Sequence, residues 1–431
     1  MKYFLVFLAF AGCLTAYDYH GCALAPDNLN GWVVCIDTFL VFKTTNGGQT
    51  WQTQALPNGT NTFYDITCVN GLQAWTSGNL GQVLHTADGG GNWVIQPIVL
   101  SKNATRIHFL NTEDGWVVGG NGTVGRTTDG GGSWEQNFTP HYQAEYYGLS
   151  FTDTLHGWIV AGYPDSLATS QGYIDRSTDG GINWDSLYRS TAYEDFYDIR
   201  FLDNSTGVLV GGDESDYAPI IWRSTNGGAA WSPVTAPANA YYLRSLDFSG
   251  DHGWAVGRFG SIIRTLDAGG SWTFQANPAT TTLFDVDFSD TLHGVACGQN
   301  IILYTTDGGQ TWNQSGIEEN GTTTPAGRIF LRAYPNPVRT HTDIRFQITD
   351  NGSQPDNRYG ITDNSSKIVK LHIYDISGRL VKSFSFTDIG HLSSVTWRCE
   401  DQAGRPVPAG IYIARLSSRE GSVPAELIII K

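Results

Sequence analysis

The stretch Thr127-Thr128-Asp129-Gly130-Gly131-Gly132-Ser133-Trp134 decides the fold, because variants of it return six more times along the chain. The other copies start at Thr44, Thr86, Ser177, Ser224, Thr265 and Thr305, and the closing tryptophans, Trp51 to Trp312, are spaced 42, 41, 50, 47, 41 and 40 residues apart. Upstream of each octet lies a glycine with an apolar run behind it, as in Gly115-Trp-Val-Val-Gly and Gly157-Trp-Ile-Val-Ala-Gly, with a glycine-less copy at Ala74-Trp75. Farther upstream, Ile107-His-Phe109 and Leu149-Ser-Phe151 alternate with the period of two that marks a strand. The octet itself reads as a hairpin. Its third residue (Asn46, Asp88, Asp129, Asp179, Asn226, Asp267 or Asp307) can accept backbone N–H groups in the turn, its glycines supply positive φ, and its tryptophan opens a fourth strand. Four strands per repeat, seven times over, predict an all-β chain whose main body is a seven-bladed β-propeller.

Composition narrows the function. The 431 residues carry a net charge of −15 and no Lys/Arg-rich run, which argues against nucleic-acid partners. With 40% hydrophobic residues the chain can build cores rather than stay disordered. Lys2, the apolar run to Cys13 and the small residues up to Ala16 read as a secretory signal peptide over 1–16. Phe10-Ala11-Gly12-Cys13 gives a rival reading as a lipoprotein box. No later apolar run approaches membrane-spanning length, so no transmembrane segment is expected.

The octets resemble the BNR/Asp-box repeat. The combined pattern resembles the propellers related to the photosystem II stability and assembly factor, over about residues 18–316. That resemblance implies the fold far more than a job, since one fold hosts many functions. After a polar linker at 317–330, residues 331–431 read as a small β-sandwich, with strands in His341-TDIRFQI, Val369-KLHIYD, Ser394-VTW and Ala425-ELIIIK. Tyr334-Pro-Asn-Pro337, Ile373-YDISGRLVKSF-384 and Gly404-RPVPAGIY-412 resemble the type A sorting domain of the type IX secretion system. It implies export by the signal peptide, passage through the type IX machinery, and a cargo propeller at 17–316 that is secreted or held at the outer-membrane surface. An immunoglobulin-like spacer without a sorting role is the other reading of this segment.

In such a ring the box turns share one face with the turns between first and second strands. The second-to-third turns and the blade-to-blade loops share the opposite face, where aromatic loops of blades four to six gather. Tyr142, Tyr146, Tyr193, Tyr217 and Tyr242 are the candidate glycan- or protein-binding residues there, tyrosine offering a stacking surface with a hydroxyl handle. Tyr64, Tyr147, Tyr197 and Phe284 share one repeat position and are expected to pack. Asp65, Arg106, His108, Asp198, Arg200, Asp247, Asp285 and Asp287 should surround the central channel, paired with one another or, with Arg200 as candidate contact, holding a ligand. The basic series Lys43, His85, Arg126, Arg176, Arg223 and Arg264 is expected to point between blades. Of the cysteines, Cys22 and Cys35 on the first two strands are the candidate disulfide at the ring seam, and no shared closing strand is expected there.

Asp boxes also occur in sialidases, but the Arg-Ile-Pro signature is missing, and no catalytic residue, metal-ligand cluster or cofactor motif stands out. The expected function is a non-catalytic binding or scaffold propeller, a monomer without cofactor or metal. The alternative is a glycan-active hydrolase using the acidic and aromatic loops of blades four to six.

Overall fold

The computed structural model describes residues 17–36, 39–57, 60, 62–97, 100, 102–162, 172–190, 194–212, 217–318, 329–334, 342–348, 368–375, 379–387, 392–418 and 425–430. The proposed leader and Tyr193 therefore lie outside the described residues. The chain divides into two compact units, Met1–Glu319 and Asn320–Lys431.

The first unit is a seven-bladed propeller. Blade 1 pairs Tyr19–Leu24, Gly31–Cys35, Val41–Thr44 and Thr50–Thr53 as an antiparallel meander, and blades 2 to 7 repeat this over 63–95, 104–138, 145–189, 195–233, 243–274 and 283–314. The seven first strands contact one another in a closed ring, which makes them the channel wall.

The octets behave as hairpins, as expected. In Thr127–Trp134 the Asp129 carboxylate accepts the Thr127 hydroxyl at 2.8 Å, the Ser133 amide at 2.9 Å and the Ser133 hydroxyl at 2.7 Å, while Gly130 and Gly131 take φ of 70° and 91°. Each box also ties itself to the turn between first and second strands of its own blade, for example Gly130 N to Glu113 O at 2.9 Å and Gly180 N to Leu155 O at 2.9 Å, which puts both turns on one face.

Adjacent blades are joined by the residues that make the pattern visible. Trp116 Nε1 of blade 3 donates to Gly180 O in the box of blade 4 at 2.8 Å, its ring stacks on Phe151 at 3.7 Å, and Phe151 meets Trp184 edge-on at 6.1 Å. The same Trp–Phe–Trp stack recurs at Trp75/Phe109/Trp134, Trp158/Phe201/Trp231 and Trp254/Phe288/Trp312. The glycine before the tryptophan is steric: a Cβ on Gly157 would stand 2.3 Å from the Phe151 ring. Blade 2 carries Ala74 instead, and there the facing residue is Cys68, which leaves room for the methyl. The basic series also points between blades, with Lys43 Nζ on Gly89 O at 2.6 Å and Arg223 Nε on Ala268 O at 2.8 Å.

The seam departs from expectation. Every blade has its own four strands, yet Gly316–Glu318 adds a fifth, parallel strand to the outer edge of blade 1, pairing Ile317 with Trp51. The expected Cys22–Cys35 disulfide is not made. Cys22 faces Val33 across the strand pair and Cys35 faces Tyr19, so the two are out of register, and Cys22 retains its thiol.

In the second unit, Ile329–Tyr334, Thr342–Ile348 and Leu392–Trp397 form one antiparallel sheet, and Leu380–Thr387, Ile368–Asp375, Ile411–Ser418 and Ala425–Ile430 form another. Leu371, Ile373, Trp397, Tyr412 and Ala414 are among its buried side chains.

Candidate functional site

The first strand of each blade contains one β-bulge, and all seven bulges occupy the same place. Pairing with the second strand skips His20, Tyr64, Thr105, Tyr147, Tyr197, Arg244 and Phe284. A bulge inserts one residue and shifts the alternation behind it. The preceding residues, such as Phe63, Tyr146 and Phe196, therefore enter the interblade core, while the bulged residues are only half-buried.

Because first strands begin on the face opposite the boxes, these bulged residues make a collar at that mouth of the channel. His20 stacks on Phe284 at 5.1 Å and meets Tyr64 edge-on at 6.0 Å, and Tyr147 lies 5.8 Å from Tyr197. The Arg244 guanidinium sits 5.0 Å from the Tyr197 ring centre, 5.4 Å from Tyr242 and 5.6 Å from Phe284, and donates to the Tyr242 hydroxyl at 3.1 Å. Burial, assisted by Arg244, pulls the His20 imidazole below its usual range, so it is neutral at pH 7.

Beneath the collar the channel is filled by ion pairs. Arg106 lies 2.7 Å from Asp198, 3.1 Å from Asp285 and 3.5 Å from Asp65, and Arg200 lies 3.4 Å from Asp247. The carboxylates also accept first-strand amides of the next blade: Ile107 N on Asp65, Cys22 N on Asp285 and Phe288 N on Asp247, each at 2.8 Å, and Leu24 N on Asp287 at 2.7 Å. These groups stitch the ring together, as the pairing reading expected. Arg200, offered as a ligand contact, is committed to Asp247 and to Leu149 O at 3.3 Å.

The tyrosine candidates separate. Tyr146 is fully buried, with its hydroxyl on the Asp175 carboxylate, because the bulge at Tyr147 turns it into the core; it cannot contact a ligand from solution. The residue expected to pack, Tyr147, is the one at the collar. Tyr242 is buried but stacks on Tyr197 at 5.8 Å. Tyr142 is 70% exposed, with no aromatic partner among the described residues.

Tyr217 belongs to a cluster the sequence reading missed. The Arg258 guanidinium stands 3.8 Å from the Tyr217 ring centre, 4.9 Å from Phe259 and 5.5 Å from Tyr242, and Tyr241 meets Phe259 edge-on at 4.9 Å. Phe259, Tyr241 and Tyr217 are 50%, 44% and 36% exposed. Tyr217 and Phe259 hold φ of 61° and 53°, the left-handed region that bulky side chains avoid. Among the described residues no carboxylate pairs with Arg258. The available signal was Gly257-Arg258-Phe259-Gly260, which aligns with Gly78-Asn79-Leu80-Gly81 and Gly119-Gly120-Asn121-Gly122 as the second-to-third turn of its blade.

Among the described residues, no group of His, Cys, Asp and Glu is arranged to hold a metal ion. Among the described residues, no helix is long and apolar enough to cross a membrane.

The family model described as photosynthesis system II assembly factor YCF48 matches residues 16–103 and 181–276, and that of the BNR/Asp-box repeat matches residues 303–314. Among solved structures, YCF48 bound to D1 peptide is 20% identical, covering 68% of this chain and 94% of that one with a TM-score of 0.55. YCF48 from Cyanidioschyzon merolae is 18% identical, with 68% and 97% covered and a TM-score of 0.54. Hydrazine synthase of Kuenenia stuttgartiensis is 9% identical, with 71% and 99% covered and a TM-score of 0.55. No curated protein matches the sequence. At these identities the structural likeness carries the fold alone: the N-terminal unit is a seven-bladed propeller of BNR/Asp-box repeats, similar to the YCF48 assembly-factor propellers.

Proposed function

We propose that this protein is a non-catalytic binding or assembly propeller that docks a segment of a protein partner on the face opposite its Asp boxes, at blades 5 and 6. The observation that carries the reading is the exposed Tyr217–Arg258–Phe259–Tyr241 cluster. It presents aromatic edges and a guanidinium without a carboxylate partner among the described residues, the side-chain types that dominate protein interfaces. The positive φ of Tyr217 supports it, since such strain collects at binding sites, whereas that of Phe259 is shared by Leu80 and Asn121 at the same turn of other blades. The YCF48 structure with a D1 peptide is a precedent for a similar ring holding a protein segment.

The chain reaches its place of action by leader-directed export and the type IX machinery, with residues 331–431 as an immunoglobulin-like sorting sandwich. The propeller is then secreted or kept at the outer-membrane surface. Support for this part is the resemblance of the C-terminal motifs. Deleting 331–431 in a host with type IX secretion should trap the propeller in the periplasm, and undiminished export of the deletion would refute the sorting role.

The binding reading is tested by peptide and glycan arrays with parallel chromogenic-glycoside assays, comparing the protein with an Arg258→Ala/Phe259→Ala variant. Peptide binding weakened about tenfold or more in the variant is expected, as for loss of interface anchors. Glycoside turnover that copurifies with the protein would replace this reading with a hydrolase.

A further inference from the structure

Six of the seven blade interfaces are bridged by the chain running from the fourth strand of one blade to the first strand of the next. At the seventh, where blade 7 meets blade 1, the chain crosses only at the outer edge, from Asn313–Gln314 into Gly316–Glu318, and the inner strands of the two blades come from segments distant in sequence. One pair of repeat positions shows how adjacent blades meet. The residue three after the glycine (or Ala74) that opens the apolar run of a second strand and the residue two after the bulge in the next blade share one core cluster wherever both are hydrophobic. At the chain-bridged interfaces these pairs are Val34 with Ile66, Val118 with Leu149, Val160 with Ile199, Val210 with Leu246 and Val256 with Val286. The remaining bridged interface has Ser77 and Ile107 at these positions. At the seventh interface the equivalent residues are Cys297 and Cys22, both buried in one cluster.

The local geometry sets the two cysteines side by side across the seam. Cys22 N is hydrogen-bonded to Asp285 at 2.8 Å, and Asp285 is the cross-strand partner of Cys297. Cys22 Sγ lies 3.8 Å from Val295 O, which sits two residues before Cys297 on the same strand. We infer that Cys22 and Cys297 are a cross-linking site: in the presence of a disulfide oxidant they form an interblade disulfide that locks the inner strands of blades 1 and 7 together where the propeller ring closes.

The reaction is thiol–disulfide exchange. One cysteine thiolate attacks a sulfur of a small disulfide such as oxidised glutathione and releases one thiol. The second cysteine then attacks the mixed disulfide, forms the Cys22–Cys297 bond and releases the other thiol, so that the two cysteine protons end on two reduced glutathiones. Burial raises both thiols above the usual range and starves the closed ring of thiolate, so the bond should form while the seam is still open during folding.

The test refolds the denatured full-length chain in oxidised and reduced glutathione, followed by non-reducing digestion and mass spectrometry. A peptide pair joining Cys22 to Cys297 is expected. The cross-link closes a loop of more than half the chain, so the oxidised form should melt on the order of 5–10 °C above the reduced form. A Cys22→Val/Cys297→Val variant copies the other interfaces and should fold without any redox dependence of its melting. Two alkylatable thiols at 22 and 297 after oxidative refolding, or linkage of either to another cysteine, would overturn the inference.

Discussion

At the residue scale the Asp box is a set of short hydrogen bonds whose value can be read from its one irregular copy. In blade 6 the first glycine of the pair is Ala268, held at φ 54°, where the other boxes place glycine. Ala268→Gly should stabilise the propeller by about 0.5–1 kcal/mol by releasing that strain, seen as a higher denaturant midpoint at unchanged slope. The next residue behaves oppositely. A Cβ on Gly269 would lie 2.4 Å from Val208 Cγ2 at φ 82°, so Gly269→Ala should destabilise by about 2 kcal/mol or more. Equal effects of the two substitutions would show that the box conformation is not what limits stability. The residue scale is also where the sequence was most legible. Boxes, Gly-Trp steps and interblade basic residues lie where their spacing put them, since each is a local pattern that recurs along the chain, the box seven times, the basic residue six and the Gly-Trp step four. Tyr146 and Tyr147 exchanged roles because a β-bulge leaves no composition mark: strict alternation assigns one to the surface and the other to packing, and one inserted residue reverses both.

At the scale of the element, four of the interblade joints are a Trp–Phe–Trp stack, gated by a glycine, and blade 2 tests whether that rule is cause or coincidence. Cys68→Phe alone would drive a ring into the Ala74 methyl and should destabilise. Cys68→Phe with Ala74→Gly should recreate the joint of the other blades, with the new ring on Trp32, and recover at least 1–2 kcal/mol relative to the single change. A double-mutant cycle with no coupling between positions 68 and 74 would contradict the steric account. The closing strand is an element the sequence hid, because Gly316-Ile317-Glu318 sits in what reads as a polar linker and three residues carry no period. Ile317 packs against the seam cluster, so a propeller ending at Ser315 should lose roughly 1–3 kcal/mol against one ending at Glu319. Identical thermal unfolding of the two would make the fifth strand ornamental.

On the scale of the whole molecule, the ring places opposing titrations in one channel, and stability should follow their balance. Burial, opposed by Arg106, leaves Asp65 raised to about 6, and burial together with Asp247 lifts Asp287 well above the carboxylate range. A carboxyl with a raised folded pKa gives stability that is complete below its unfolded value near 4 and is lost as pH rises through the folded value. His108 works the other way: burial and Arg200 lower it to about 3, so its contribution is complete above about 6.5 and is lost as pH falls through the folded value. Between pH 4 and 6.5 the two slopes oppose each other. The boxes add a third branch at lower pH, since backbone and hydroxyl donors hold Asp267 at about 2 and lower Asp129, and that stability goes as pH falls from 4 toward 2. Asp287→Asn separates the branches. The amide oxygen can still accept Leu24 N, while one buried negative charge beside Asp247 is removed. At pH 4, where Asp287 is already protonated, the variant should match the parent; at pH 7 it should be more stable by on the order of 1 kcal/mol, leaving a steeper rise of stability with pH because the histidine branch stands with less opposition. Denaturant midpoints at the two pH values decide it, and an Asp287→Asn variant that loses stability at pH 7 would mean that the ring depends on that charge rather than tolerating it.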